Sequence, residues 1–324
     1  MEGILESDQT VQFMNASTLS HLVGSSQYAA FSDDALKDED NAAWVMLLAP
    51  VVRQEWIERI GWIRLVDRLA ENQLVTYGSS EFHKFCLGWQ QLWQTGIVPS
   101  DCAYREVLAS IGTRWVNPMP TTIDRLSVQS WERYLAALAQ YHQNELVIAT
   151  IAQYETMLTD LAGAFFQVLP FLPINYWQSA CAFGVLDQFF NNLRDMEEDA
   201  ARGVCYLPTE LLERFGLTRQ DILQGRAIAM SNYQLLMQFW LDEYLPHLYQ
   251  KASQFIAATD LPPCWQILRD WSLQRYCRIE RVFRSCHLDY RQFPSQYWAE
   301  VKRELPGLMA QAKTRTITAE SIDR

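Results

Sequence analysis

The sequence predicts an all-α protein. Three observations carry that expectation: apolar residues recur at helical spacing from residue 42 onward, no run alternates as a strand would, and no glycine-rich phosphate loop breaks the pattern. Residues 1–38 are polar, with Ser, Asp and Gly scattered through them, and read as a loosely ordered arm. Helical spacing starts in AAWVMLLAPVVRQEWIERIGWIRLVDRLAENQL, 42–74, where Pro50 predicts a division into two helices. EFHKFCLGWQQLWQTG, 81–96, predicts a helix with a glycine stop. After the loop WVNPMPTTID, helical spacing runs from Ser127 to Pro170. NYWQSACAFGVLDQFFNNLRDMEEDAARG predicts a long apolar helix ending near Gly203. YLPTELLERFGL predicts a short helix opened by Pro208 and closed by Gly216. Further helices are expected over 226–259, 263–286 and 296–312. The reading is one helical domain over 39–312, followed by a tail at 313–324.

Composition narrows the function. Apolar residues make up 49% of the 324, with twelve Trp, fourteen Tyr and fifteen Phe, enough for a large aromatic core. A net charge of −11 without a basic run argues against a nucleic-acid partner. Seven scattered cysteines without a CxxC pair suit a reducing compartment better than a disulfide framework. The isolated histidines argue against zinc. MEGILESDQTVQF lacks a basic-then-apolar leader, and no stretch reaches the ~18 apolar residues of a membrane span. The expectation is a cytoplasmic protein whose membrane association, if any, is peripheral.

Two acidic pairs stand out. Asp195 and Asp199 are four apart and share a helix face, as do Asp67 and Glu71. Like charges at that spacing destabilise a helix unless a cation lies between them. Both pairs follow apolar helical approaches, with Arg64 one turn before Asp67 and with Gln188 and Asn191 upstream of Asp195. Four carboxylates in one cleft would suit Mg²⁺, a hard cation that keeps waters and is shared with phosphates. Arg64 and Arg194 could neutralise the rest of a diphosphate. The alternative is a solvated face in which Arg194–Glu198 and Glu198–Arg202 are ordinary helical ion pairs.

QFFNNLRDMEEDAARGVCYLPTELLERFGL also resembles the second aspartate-rich segment of the squalene and phytoene synthase family. The matching residues are Gln188, Asn191, Leu193-Arg194-Asp195, Glu198-Asp199, Arg202-Gly203, Tyr206-Leu207-Pro208 and Phe215-Gly216-Leu217. Arg64, Asp67 and Glu71 fall where the family has its first acidic motif, and Pro50 and Arg53 fit the helix leading into it. Leu161-Ala162-Gly163 resembles the family's Ala-Gly segment; Tyr276, Ile279 and Asp289 resemble its late tyrosine helix. The resemblance implies an all-α isoprenoid synthase fold, with helices around a central cavity. It implies head-to-head joining of two prenyl diphosphates through a cyclopropyl diphosphate. Asp67, Glu71, Asp195 and Asp199 would hold Mg²⁺. Arg64, Arg194 and Arg202 would meet diphosphate, and Gln188, Asn191, Tyr206 and Tyr276 would line the pocket. NADPH would serve only if the product is squalene. The Arg-Gly and Tyr-Leu-Pro details are closest to phytoene synthases and bacterial squalene-type enzymes.

The chain departs from the pattern at several positions. Arg68 replaces an Asp, Glu71 replaces the last Asp, and Asp40-Asn41 stands where the family has Ser-Phe. Met157 and Asp160 replace central-helix tyrosines, with Tyr154 one turn away, and Arg291 lies only near the late arginine position. These departures leave a second reading: a non-catalytic relative that binds an isoprenoid or a partner protein in assembly or regulation.

Overall fold

The computed structural model describes residues 35–322 apart from 76, 117, 118 and 144. Most of the polar arm therefore lies outside the described residues. Its last part is the helix α1, Ala35–Ala42, followed by a 3₁₀ turn at Ala43–Leu47. Pro50 opens α2, Pro50–Ala70, at a first-turn position where its missing N–H costs nothing. The Arg53 guanidinium donates to the Met46 and Leu48 carbonyls and fixes the bend between the two elements. α3 (Glu81–Thr95) ends at Gly96, whose φ of 72° suits a residue without a side chain. α4 (Arg105–Trp115) was not anticipated from the sequence.

The pattern expected as one stretch from Ser127 to Pro170 is divided. α5 (Thr122–Tyr141) starts on a capping box between Thr121 and Asp124. α6 (Ile151–Leu158) begins anew after a loop and continues through a π turn, Thr159–Gly163, into α7 (Ala164–Val168). The central helix α8, Trp177–Arg194, breaks at Asp195 before the short α9, Met196–Ala201. α10 (Thr209–Arg214) and α11 (Arg219–Leu223) follow. α12 (Ser231–Phe239) runs through a π turn at Trp240–Tyr244 into α13 (Leu245–Ile256). α14 (Pro263–Ser285) and α15 (Phe293–Ile322) complete an all-α architecture.

α8 sits in the middle, packed against α13, α7, α14 and the Thr159–Gly163 turn. Glycine allows the closest of these approaches. A Cβ on Gly184 would lie 2.5 Å from the Ala162 carbonyl oxygen, and one on Gly163 would lie 2.6 Å from Cys181 Sγ. The Ala162-Gly163 pair is thus a backbone-to-backbone contact between the π turn and α8. Aromatic rings fill the interior around it: Phe190 stacks on Tyr276 with centroids 4.5 Å apart, and Trp240 stacks on Tyr244 at 4.2 Å. No helix among the described residues is long and apolar enough to cross a membrane.

Candidate functional site at the two acidic segments

The two acidic segments meet. Glu71 opens a π turn at the end of α2, Glu71–Val75, and Arg202 bridges it to the second segment. One Arg202 nitrogen lies 3.4 Å from Glu71 Oε1, the other 2.7 Å from Glu198 Oε1. Burial pushes the Tyr206 hydroxyl above its ordinary range, and the charges of Asp199, Asp67 and Asp195 push it further. The charges of three of the four expected carboxylates are thus all felt at one phenol. The fourth, Glu71, is joined through Arg202.

Their electrostatic states differ sharply. Asp195 receives two bonds from Arg194, at 2.8 and 2.9 Å, and Lys37 Nζ lies 2.9 Å from its Oδ2. Sequence neighbours on a regular helix do not face each other, so the break after Arg194 is what permits this fork. Burial alone would raise the Asp195 pKa, but Arg194 and Lys37 outweigh it and hold it at about 2. Asp199 goes the other way. Burial first, then the charge of Asp195, pushes it to about 8, against only weaker help from Lys37 and Arg202. Asp67 is more open, with 48% of its side-chain surface exposed and His142 Nε2 3.3 Å from its Oδ1. Burial pulls His142 down, yet the bond to Asp67 and the charges of Asp67 and Glu71 leave its pKa raised overall.

Beside these acids lies a cavity of about 30 Å³, bordered by Tyr154, Asn192, Asp199, Tyr206 and Trp240 among others. The helices do surround a cavity, as expected, and its enclosed part is small. Aromatic filling accounts for this: Tyr154 packs on Trp240 at 5.4 Å and Phe189 on Trp240 at 5.5 Å. Tyr154 accepts a bond from Asn192 Nδ2 at 3.1 Å, which places a tyrosine hydroxyl at the site although Met157 and Asp160 supply none. Met157 is buried, and Asp160 turns toward Arg133, 3.8 Å away.

The structure places the other expected pocket residues in a buried network next to the cavity. Gln188 donates to Asn192 Oδ1 at 2.9 Å, and Asn191 donates to Asp187 Oδ2 at 3.0 Å. Tyr276, fully buried, donates to Asp187 Oδ1 at 2.6 Å. Arg194 donates to Asn41 Oδ1 at 2.8 Å. Arg64 has partners of its own. The centre of the network escaped the sequence reading: Asp187 forms a close ion pair with Arg275, which also donates to Asn191 and to Asn41. Two signals could have found it. Asp187, Asn191, Asp195 and Asp199 form an unbroken four-residue series, and Arg275 lies on the apolar stripe of α14 between Trp271 and Ile279. Arg291 has a structural task elsewhere, lying over Gly225 and donating to the Gln224 carbonyl at 3.1 Å.

Comparison with known proteins gives the family and the fold. A family profile described as squalene/phytoene synthase matches residues 35–283. The chain belongs to the squalene/phytoene synthase family. This family member is similar to the 15-cis-phytoene synthase of Synechocystis sp., 38% identical over 90 residues, or 28% of this chain and 26% of that one. It is similar also to the 15-cis-phytoene synthase of Synechococcus elongatus, 33% identical over 106 residues and 33% of each chain. These matches span only about a quarter to a third of the relatives' lengths. In fold it resembles a dehydrosqualene synthase solved with a ligand, with a TM-score of 0.59 over 90% of this chain and 97% of that one. It also resembles the squalene synthase HpnC of Alicyclobacillus acidocaldarius, with a TM-score of 0.60 over 85% and 94%. Identity is 16% in both, so the likeness is one of fold.

The residues fit a hard divalent cation in kind. No three acid, histidine or cysteine side chains among the described residues form a ready metal cage. Mg²⁺ does not require one, because it keeps several waters and uses one or two carboxylates plus substrate phosphates. The anion of Asp199, disfavoured by burial and by Asp195, is the group a cation would relieve.

Proposed function

We propose that this protein joins two prenyl diphosphates head to head through a cyclopropyl diphosphate, in the manner of a phytoene synthase and with Mg²⁺. The observation that carries the reading is the bridge that Arg202 makes between Glu71 and Glu198, which joins the two acidic segments in a chain of this family. Asp67, Glu71, Asp195 and Asp199 would hold the metal, which when bound neutralises the charge on a departing diphosphate. Arg64 and Arg202 add positive charge, Arg202 from a side chain 58% exposed that can turn toward a ligand. Gln188 and Arg194 act one layer below, fixing Asn192 and Asp195 in place, while Asn191 and Tyr276 fix Asp187 beneath them.

Tyr154 and Tyr206, both held well above the ordinary phenol range by burial, keep their protons and serve as dipoles rather than bases. The Trp240 face beside Tyr154 offers an aromatic wall to an allylic cation. A prenyl tail would run along this wall and the one formed by Val204, Leu207 and Ile222, which line the same cavity. NADPH enters only if the product is squalene.

The test is incubation of the full chain with farnesyl or geranylgeranyl diphosphate, Mg²⁺ and NADPH. The expected result is a C30 or C40 product at about 1 s⁻¹ or faster, abolished by chelation and sharply reduced in Asp195→Ala. Failure to consume or to bind either diphosphate overturns the reading.

A further inference from the structure

Lys37 and Asn41 stand one turn apart on α1 and so share a face. Lys37 Nζ sits between Asp195 Oδ2, at 2.9 Å, and Glu198 Oε2, at 3.3 Å. Asn41 Oδ1 accepts from both Arg194 and Arg275. One helical face thus offers a cation to the second acidic segment and an oxygen to the arginines behind it. The base of α1 is firmly held. Asp40 is 1% exposed, pairs with Arg278 at 2.7 Å, and accepts from Tyr297 at 2.5 Å. Its carbonyl also accepts from Trp271 Nε1 at 2.7 Å. Lys37 projects from the other end of the helix on a flexible stem.

We propose that Lys37 is a tethered counter-ion that competes with a divalent metal for the second acidic segment and so sets how much metal the site demands. The inference rests on the Mg²⁺ reading given above. With Lys37 in place, Asp195 Oδ2 is shared between Arg194 and the ammonium, and Glu198 is divided between Lys37 and Arg202. Its withdrawal returns Asp195 Oδ2 and Glu198 Oε2 as hard donors beside Asp199. The anchor at Asp40 keeps the ammonium at an effective concentration on the order of millimolar, the level that a metal must match. An ammonium is compact and strongly hydrated, so it exchanges more readily for a hydrated cation than a guanidinium fork does.

The experiment measures Mg²⁺ binding by calorimetry and Mn²⁺ binding by electron paramagnetic resonance on the full chain. It compares wild type, Lys37→Met and Lys37→Arg. Lys37→Met should bind metal about tenfold more tightly, and Lys37→Arg no more tightly than wild type. The metal-free Lys37→Met protein should also melt below wild type and recover when Mg²⁺ is added. Metal binding equal or weaker in Lys37→Met overturns the role of Lys37 while leaving the metal site intact. Absence of binding in all three proteins, with inorganic pyrophosphate present as well as without it, removes both the metal reading and this inference.

Discussion

Asp67 and Asp195 each open a pair of acids four residues apart, yet Asp67 keeps 48% of its side-chain surface exposed and Asp195 only 17%. The first segment lies at the end of α2, where a π turn begins and where His142 and Arg202 come across from other elements. The second lies at a helix break over a buried network, gripped by Arg194 and Lys37 and underlain by Asp187 and Arg275. Spacing made the two look equivalent. Surroundings set one up as an adaptable rim and the other as a rigid floor, because charge in a low dielectric is held only by close partners.

The floor is where the contrast breaks most violently. Asp187→Ala leaves Arg275 buried without its anion and should cost about 3–5 kcal/mol in urea unfolding. Replacing both, as Asp187→Leu with Arg275→Met, should recover much of that loss. If Asp187→Ala unfolds at the same urea concentration as wild type, the network is not the support described.

Within the second segment the two aspartates should respond oppositely to pH. Asp195 is depressed to about 2, so its contribution is present above its unfolded value of 3.8 and is lost as pH falls toward 2. Asp199 is raised to about 8, so its contribution is present below 3.8 and is lost as pH rises to about 8. Asp199→Asn should therefore flatten the metal-free melting curve between these values. At pH 8 it should raise the melting temperature by about 2–4 °C, the size of shift that about 1 kcal/mol brings. A pH profile identical to wild type would show that the Asp199 anion is already satisfied.

The rim should be the mildest. Asp67→Asn removes a half-exposed partner of His142 and should cost under about 1 kcal/mol. His142 is raised above 6.5, so the loss should be seen below that pH and vanish as pH climbs through the raised value. A loss persisting at pH 9 would mean that Asp67 is held by something other than the histidine.

Sequence alone determined much of this. Helical spacing gave the class, and Pro50, Gly96, Pro208 and Gly216 marked boundaries that the structure keeps, because backbone restrictions at these residues act locally. The long motif from Gln188 to Leu217 carried the family, since a run of specific residues survives without knowledge of contacts. The breaks at Asp195 and after Tyr141 were not legible, because both segments keep helical patterning through them and the break answers to distant partners. Asp40-Asn41 looked misplaced beside an anion site. Only the tertiary structure brings Arg278, Arg275 and Arg194, more than a hundred residues away, onto those two side chains. Local chemistry could say which residues bear charge; which of them remain available to a ligand depends on long-range packing, which decides how each charge is paired and how deeply it is buried.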